Sequence, residues 1–253
     1  QKSQFKGNRT GLNNYLRGCV GSYSGSYIGY IDSERLDDRA LVDRVVDSLS
    51  AARRAELKAL KGISVEMRER ESARVTADVV NTYLRVPLYS YEIGDEPEQM
   101  EAYYHSVKDR ICPFIREISQ DRYLDVEVVR DVLFWCRESA VLKECLQWTP
   151  RMDALYEAAG WSRMMDGEIP AEMLVRVDTF LLHCPEKDIV TELQIKRDQV
   201  DRLRKGAPAA DLQLTTPAGE NVMLSVYKGK PIYIDLWATW CGSCLEESPA
   251  FHR

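Results

Sequence analysis

Two cysteines near the C-terminal end of the chain have the spacing of a redox pair. Cys241 and Cys244 form a C-x-x-C sequence that follows the β-forming run 231–236, and the residues from Leu245 onward favour a helix. A cysteine at a helix start lies against unpaired backbone N–H groups and the positive end of the helix dipole, and both favour a thiolate. The spacing therefore predicts Cys241 as an exposed attacking thiol and Cys244, one turn later, as a more buried resolving thiol.

A metal site is the main alternative for this pair. Structural zinc needs four ligands, usually from a second C-x-x-C or two histidines. The histidines are His105, His183 and His252, and none has that spacing. Haem attachment would need a histidine directly after Cys244, where Leu245 stands. The sequence favours redox chemistry, and we expect no metal and no cofactor beyond a redox-active disulfide.

The overall composition is that of a globular protein. The chain has 253 residues, of which 45% are hydrophobic and 29% charged. Its net charge of −6 does not indicate the basic surface that is typical of nucleic-acid-binding proteins. No apolar run is long enough for a transmembrane helix. Because the first residue is Gln1, we expect a processed or cut N-terminus, from which a signal peptide or membrane anchor could have been removed.

The periodicity of apolar residues changes near Gly206. Before it, the spacing predicts helices, with Pro87 ending the third of them. The predicted helices cover 10–20, 38–61, 64–85, 97–111, 125–146, 151–159, 170–183 and 186–205. After it, a hairpin of strands 211–215 and 221–224 and a buried strand 231–236 are predicted.

Three other features favour a structural over a catalytic interpretation. The remaining cysteines are expected as small buried hydrophobes, with pairing among them left open: Cys19, Cys112, Cys136, Cys145 and Cys184. His183-Cys184 is interpreted as a helix terminus before Pro185 rather than a catalytic dyad. The Gly-, Ser- and Tyr-rich stretch 21–30 is interpreted as a connection whose tyrosines lie on the core, with a mobile binding loop as the alternative.

The C-terminal fifth of the chain resembles the TlpA/ResA group of thioredoxin-like thiol–disulfide oxidoreductases, which are membrane-anchored or periplasmic. The matching residues are Gly206-Ala207-Pro208, Leu212, Leu214, Gly219, Leu224-Ser225, Lys228-Gly229-Lys230-Pro231, Trp237-Ala238-Thr239-Trp240-Cys241-Gly242-Ser243-Cys244 and Glu247-Ser248-Pro249. The fold expectation is an α-helical N-terminal domain, 1–205, followed by the N-terminal portion of an α/β thioredoxin-like domain, 206–253.

The resemblance implies a role for each site residue. Cys241 would attack and Cys244 would resolve, with Trp240 packed beside the disulfide. Glu247 would tune thiol acidity or relay a proton, and Asp235, at the position of a buried acid, would accept the proton of Cys244. The alternatives are a solvated helix-surface charge for Glu247 and a solvent-bonded acid at a strand end for Asp235.

Two departures from the family pattern are visible. Ser243 stands where many members have proline, which leaves the redox potential open. The chain ends at Arg253, before the remaining strands and the cis-proline loop of the family fold. We therefore expect a fragment, or a domain that is completed elsewhere.

The functional hypothesis is thiol–disulfide exchange in the bacterial cell envelope or periplasm. The expected activity is reduction of substrate proteins that contain disulfides, with an upstream dithiol donor restoring the pair. One alternative is a helical binding or scaffolding module joined to a non-functional redox segment. Another is a redox-sensing regulator that uses the same cysteines.

Overall fold

The computed structural model describes residues 10–19, 26–167, 169–204, 206–235 and 237–247, with only the backbone described at 17–19, 245 and 247. The chain divides into two compact units, 1–194 and 195–253. This division falls within the eighth helix, so the domain boundary at 205–206 stays a prediction.

Nine α-helices and one hairpin lie in the described residues. The helices are α1 (Thr10–Cys19), α2 (Arg39–Ala59), α3 (Val65–Tyr89), α4 (Pro97–Ile118), α5 (Glu127–Glu138), α6 (Pro150–Met164), α7 (Ala171–His183), α8 (Lys187–Leu203) and α9 (Gly242–Glu247). The strands are β1 (Gln213–Thr215) and β2 (Asn221–Met223). Short 3₁₀ turns lie at Ile28–Tyr30, Ser33–Arg35, Asp121–Tyr123, Leu142–Cys145 and Leu224–Tyr227.

Side-chain caps define where several helices begin. Asp38, Ser64 and Thr149 each accept a hydrogen bond from the backbone N–H three residues later, at 2.9, 3.1 and 3.2 Å. Each cap satisfies one of the N–H groups that a helix start leaves without a partner. Pro97 and Pro150 occupy first helical positions, where a missing N–H costs nothing.

Two helices are longer than the sequence predicted, and each continues through a proline. Helix α3 includes Pro87 and runs to Tyr89, because the N–H of Ser90 still bonds the carbonyl of Val86 at 2.9 Å. Helix α4 likewise includes Pro113 and ends at Ile118 instead of at 111. Its extra turns bury apolar side chains in the core, and this burial outweighs the lost backbone hydrogen bond.

The helix predicted over 125–146 is interrupted after Glu138. The N–H groups of Ala140 and Val141 donate to the carboxylate of Glu101, and the N–H of Leu142 donates to the hydroxyl of Ser139 at 3.1 Å. These side chains supply acceptors that a continuous helix would have provided. The chain therefore turns at Ser139 and returns toward α4.

Helix α3 is the centre of the first unit. Helices α2, α4 and α5 all pack against it. Its residues from Ala73 to Pro87 are buried at nearly every position, which is typical of a helix enclosed on all sides. The apolar core accordingly forms around α3.

A buried disulfide joins α4 to the turn at Leu142–Cys145. Cys112 and Cys145 are bonded, with their Cα atoms 5.1 Å apart, and are 6% and 1% exposed. The interpretation of both as unpaired hydrophobes was wrong, because the break at Ser139 returns the chain to α4. Cys136 is a buried free thiol whose pKa is raised by burial, and Cys184 is a half-buried free thiol. The side chain of Cys19 lies outside the described residues.

A buried carboxylate lies on α3 beside the segment that follows the Gly- and Tyr-rich stretch. Asp78 is 3% exposed; its Oδ2 accepts from Arg74 at 2.9 Å, and its Oδ1 has no hydrogen-bond partner within the described residues. Burial raises the pKa of Asp78 to about 6. Tyr27 is buried in the core, as predicted for this stretch, whereas Tyr30 is exposed. Residues 21–25 lie outside the described residues.

The second unit contains the predicted hairpin. Strands β1 and β2 are antiparallel, and Leu214 lies opposite Val222. Gly219 closes the turn with φ +84°, a left-handed conformation that favours glycine, and its N–H bonds the carbonyl of Thr216 at 2.8 Å. The turn residues thus set the register of the two strands.

The predicted buried strand is exposed at the positions that the structure describes. Residues 231–235 pair with no strand in the described part of the chain, and Tyr233 is 74% exposed. The prediction of burial was wrong there, because an apolar run becomes a buried strand only when neighbouring strands and helices cover it. Leu236 lies outside the described residues.

None of the helices that the structure describes combines the length and the apolar character needed to cross a bilayer.

We predict that removing the buried disulfide destabilises the first unit. The bridge closes a loop with a sequence separation of 33 residues, which restricts the unfolded chain. The double variant Cys112→Ala/Cys145→Ala should lose about 2–4 kcal/mol of unfolding free energy in urea titrations. Cys184→Ser is the control and should change the midpoint little. Equal midpoints for the two variants would contradict a stabilising bridge.

We also predict a pH-dependent stability that depends on Asp78. Its folded pKa is raised to about 6 from 3.8, so the folded state retains a proton that the unfolded state has released. Stability from this group is therefore present below pH 3.8 and falls, by about 3 kcal/mol, as the pH rises to about 6. The fall should be absent in Asp78→Asn and retained in the exposed-site control Asp109→Asn, as measured by denaturation at several pH values.

Candidate active site

The predicted cysteine pair lies at the start of α9. Cys241 directly precedes Gly242, the first residue of the helix, and Cys244 lies in the first turn. The two form a disulfide with their Cα atoms 5.3 Å apart. The N–H of Cys241 donates to the carbonyl of Ala238 at 2.9 Å, which holds the preceding turn in place. In the part of the chain that the structure describes, the contacts that position both sulfurs come from residues 238–244.

The backbone provides the main polar contact to the sulfur of Cys241. The N–H of Cys244 points to Cys241 Sγ at 3.3 Å, and Ser243 Oγ lies 3.7 Å from the same sulfur. A backbone N–H at a helix start favours negative charge on the atom that accepts from it. Once the disulfide is reduced, this contact favours the thiolate form of Cys241.

The two cysteines differ less in exposure than the sequence predicted. Both are half-buried in the disulfide form, whereas Cys241 was expected to be exposed and Cys244 more buried. The disulfide holds the two sulfurs side by side at the end of the short helix α9. In this oxidised state the described residues leave both cysteines partly accessible.

A cavity of about 420 Å³ adjoins the pair. It is lined by Asp235, Trp237, Ala238, Trp240, Cys241 and Cys244. The structure thus brings the predicted residues Asp235 and Trp240 together with both cysteines. Trp240 is 87% exposed, so its indole forms a solvent-facing wall beside the disulfide.

Of the two predicted acidic site residues, the structure describes the side chain of Asp235 but not that of Glu247. Asp235 is exposed, although a buried carboxylate was expected, because no described strand covers the segment that carries it. The backbone of Glu247 ends α9, and its side chain lies outside the described residues. The roles assigned to both acids stay predictions.

Trp237 is a cavity residue to which the sequence analysis assigned no role. It lies three positions before Trp240 in the motif and is exposed. The three-residue spacing of the two tryptophans directly before Cys241 could have indicated that both lie beside the cysteine pair.

No group of three or more His, Cys, Asp or Glu side chains in the described ranges is arranged to hold a metal ion.

The comparisons with known proteins give short partial similarities. The chain is 39% identical over 51 residues to the thioredoxin-like protein YneN of Bacillus subtilis, covering 20% of this chain and 30% of that protein. It is 41% identical over 44 residues to the thiol-disulfide oxidoreductase ResA of Geobacillus kaustophilus, covering 17% and 25%. An uncharacterized protein of Haemophilus influenzae is 53% identical over 36 residues, covering 14% and 23%.

These matches cover a minor part of each relative. The chain spans between 23% and 30% of the length of these relatives. No family model and no solved structure matches the chain. What the short matches support is a likeness between part of this chain and the thioredoxin-like family.

Proposed function

We propose that this protein is a thiol–disulfide oxidoreductase of the TlpA/ResA type whose redox pair is Cys241 and Cys244. The observation that carries the proposal is the disulfide at the start of α9, with the N–H of Cys244 directed at Cys241 Sγ. The similarity to proteins named thioredoxin-like and thiol-disulfide oxidoreductase supports redox chemistry. In this proposal, residues 206–253 are the N-terminal portion of a thioredoxin-like domain.

The reaction is a two-electron exchange in two steps. The Cys241 thiolate attacks one sulfur of a substrate disulfide, and the other substrate sulfur leaves as a thiolate that takes up a proton. The Cys244 thiolate then attacks Cys241 Sγ, which releases the second substrate thiol and forms the Cys241–Cys244 disulfide. The substrate is reduced, the pair is oxidised, and an upstream dithiol donor restores it.

The side chains around the pair have proposed roles in these steps. Cys244 must lose a proton before it attacks, and Asp235, which lines the same cavity, is the proposed acceptor. Glu247 is proposed to tune the acidity of the pair. Trp237 and Trp240 present exposed indoles beside the sulfurs, which suits a polypeptide substrate more than a small charged one.

The proposed location is the bacterial cell envelope or periplasm. Disulfides persist in oxidising compartments, and the first unit contains one at Cys112–Cys145 that is separate from the redox pair. A buried structural disulfide of this kind supports an extracytoplasmic setting. Attachment to the membrane is part of the same proposal.

A second candidate function is a helical binding module. It is favoured by a cavity of about 520 Å³ between α6 and α7, lined in part by Trp161, Arg176 and Phe180. In that case the redox segment would contribute little, and disulfide turnover would not distinguish active-site variants from the unaltered chain.

We predict that single cysteine variants separate attack from resolution. Cys241→Ser should reduce turnover of a model disulfide to background, because no thiolate remains to attack. Cys244→Ser should instead accumulate a mixed disulfide with a small-molecule disulfide at Cys241, visible as added mass. Cys184→Ser, with its half-buried thiol in the first unit, is the control and should retain turnover. Equal low activity in all three would exclude the enzyme function for this polypeptide.

We also predict that mild reductant opens one of the two disulfides only. The Cys241–Cys244 sulfurs border an open cavity, whereas Cys112 and Cys145 are buried. After brief treatment with a dithiol under native conditions, alkylation and mass spectrometry of peptides should label Cys241 and Cys244 while Cys112 and Cys145 stay bonded. Labelling all four at equal rates would contradict this difference in access.

A further inference from the structure

A second cavity, of about 430 Å³, opens on the first unit. It lies where the 3₁₀ turns Ile28–Tyr30 and Ser33–Arg35 meet the C-terminal part of α3. Its lining residues are Ile28, Gly29, Ile31, Asp32, Ser33, Leu36, Arg85 and Tyr89. The volume lies in the usual range for small-molecule sites. The proposed redox reaction makes no use of this cavity.

The floor of the cavity is apolar. Ile28, Ile31 and Leu36 are all buried side chains of the core, and each also faces the cavity. The ring of Tyr89 adds a half-exposed aromatic wall. An apolar side chain of a ligand would therefore be removed from water here, which favours binding by roughly 25 cal/mol per Å² buried.

One cation at the cavity is Arg85, whose charge also acts on the carboxylate of Asp131 on α5. Arg85 Nε donates to Asn81 Oδ1 at 3.1 Å, which fixes the plane of the guanidinium group. In the part of the chain that the structure describes, no carboxylate forms an ion pair with Arg85. Its two terminal NH₂ groups are therefore available for the bidentate contact that guanidinium makes with carboxylates.

One anion lies at the same cavity without a cationic partner. The carboxylate of Asp32 is exposed, and no lysine or arginine of the described ranges pairs with it. Its close neighbour Arg35 is directed instead to Asp38, at 3.8 Å. Asp32 can therefore accept hydrogen bonds from an ammonium group, and the Ser33 hydroxyl beside it adds a further polar contact.

We propose that this cavity binds the zwitterion of an apolar α-amino acid. Arg85 receives the α-carboxylate, Asp32 receives the α-ammonium group, and the floor of Ile28, Ile31 and Leu36 receives the side chain. The lining offers one cation and one anion, neither of which forms an ion pair within the described residues, and this pair of charges suits a zwitterion. The feature that carries the proposal is a cavity whose lining combines buried apolar side chains with one cation and one anion.

A carboxylate or an ammonium group beside an apolar side chain could come from a free amino acid or from the end of a peptide. A free amino acid carries both charges on one carbon atom, whereas a peptide terminus carries only one of them. Isothermal titration calorimetry with L-leucine and with the dipeptide Leu-Leu distinguishes the two. The proposal expects L-leucine to bind at least about tenfold more tightly than the dipeptide.

Analogues that lack one charge test the roles of the two residues. Titration with 4-methylpentanoate, which lacks the ammonium group, and with 3-methylbutylamine, which lacks the carboxylate, should each give at least about tenfold weaker binding than L-leucine. In Arg85→Gln and Asp32→Asn, the affinity for L-leucine should fall by a similar factor. Unfolding midpoints of the variants should match the unaltered protein, which excludes misfolding as the cause.

Two exposed residues outside the cavity lining provide matched controls. Arg44→Gln removes a cation from α2, and Asp37→Asn removes an anion two residues after the end of the Ser33–Arg35 turn. Both should bind L-leucine as the unaltered chain does. The proposal is overturned if millimolar L-leucine gives no binding heat, if either single-charge analogue binds as tightly, or if the control variants lose affinity equally. Redox turnover plays no part in this measurement, so its result is independent of the proposed function.

Discussion

The structure of the first unit depends on the burial of α3 on all sides. Because α3 packs against three other helices, several of its polar side chains are buried, and partners within the core must be supplied to them. Arg74 does this for Glu71 and Asp78, at 2.8 and 2.9 Å. The Oδ1 atom of Asp78 has no hydrogen-bond partner within the described residues, and burial of this carboxyl group raises its pKa.

The two disulfides fall into two chemical classes. Cys112 and Cys145 lie in the core formed around α3, where their disulfide ties α4 to the chain that follows α5. Cys241 and Cys244 lie at the start of a short helix with a cavity beside them. Because exchange requires a thiolate to approach a sulfur in line, the half-buried pair beside the cavity is suited to exchange and the buried pair to stabilisation.

The backbone contributes one polar contact to the cysteine pair. The N–H of Cys244 at 3.3 Å from Cys241 Sγ belongs to the first turn of α9, and its position follows from the helix itself. Asp235 is exposed at the cavity, where water weakens its influence on the sulfurs. The proposed amino-acid site of the first unit depends instead on side chains that are far apart in the sequence, Asp32 and Arg85.

The sequence by itself determined the features that depend on neighbouring residues. These are the C-x-x-C pair before a helix, the helical periodicity of the first unit, and the turn that joins β1 and β2. Only the tertiary structure decided features that join distant residues, because local preference does not encode which surfaces meet. These are the continuation of α3 and α4 through Pro87 and Pro113, the Cys112–Cys145 bridge, the exposure of 231–235, and the cavity at Arg85 and Asp32. In each case a non-local contact, or its absence, outweighed a local preference of the chain.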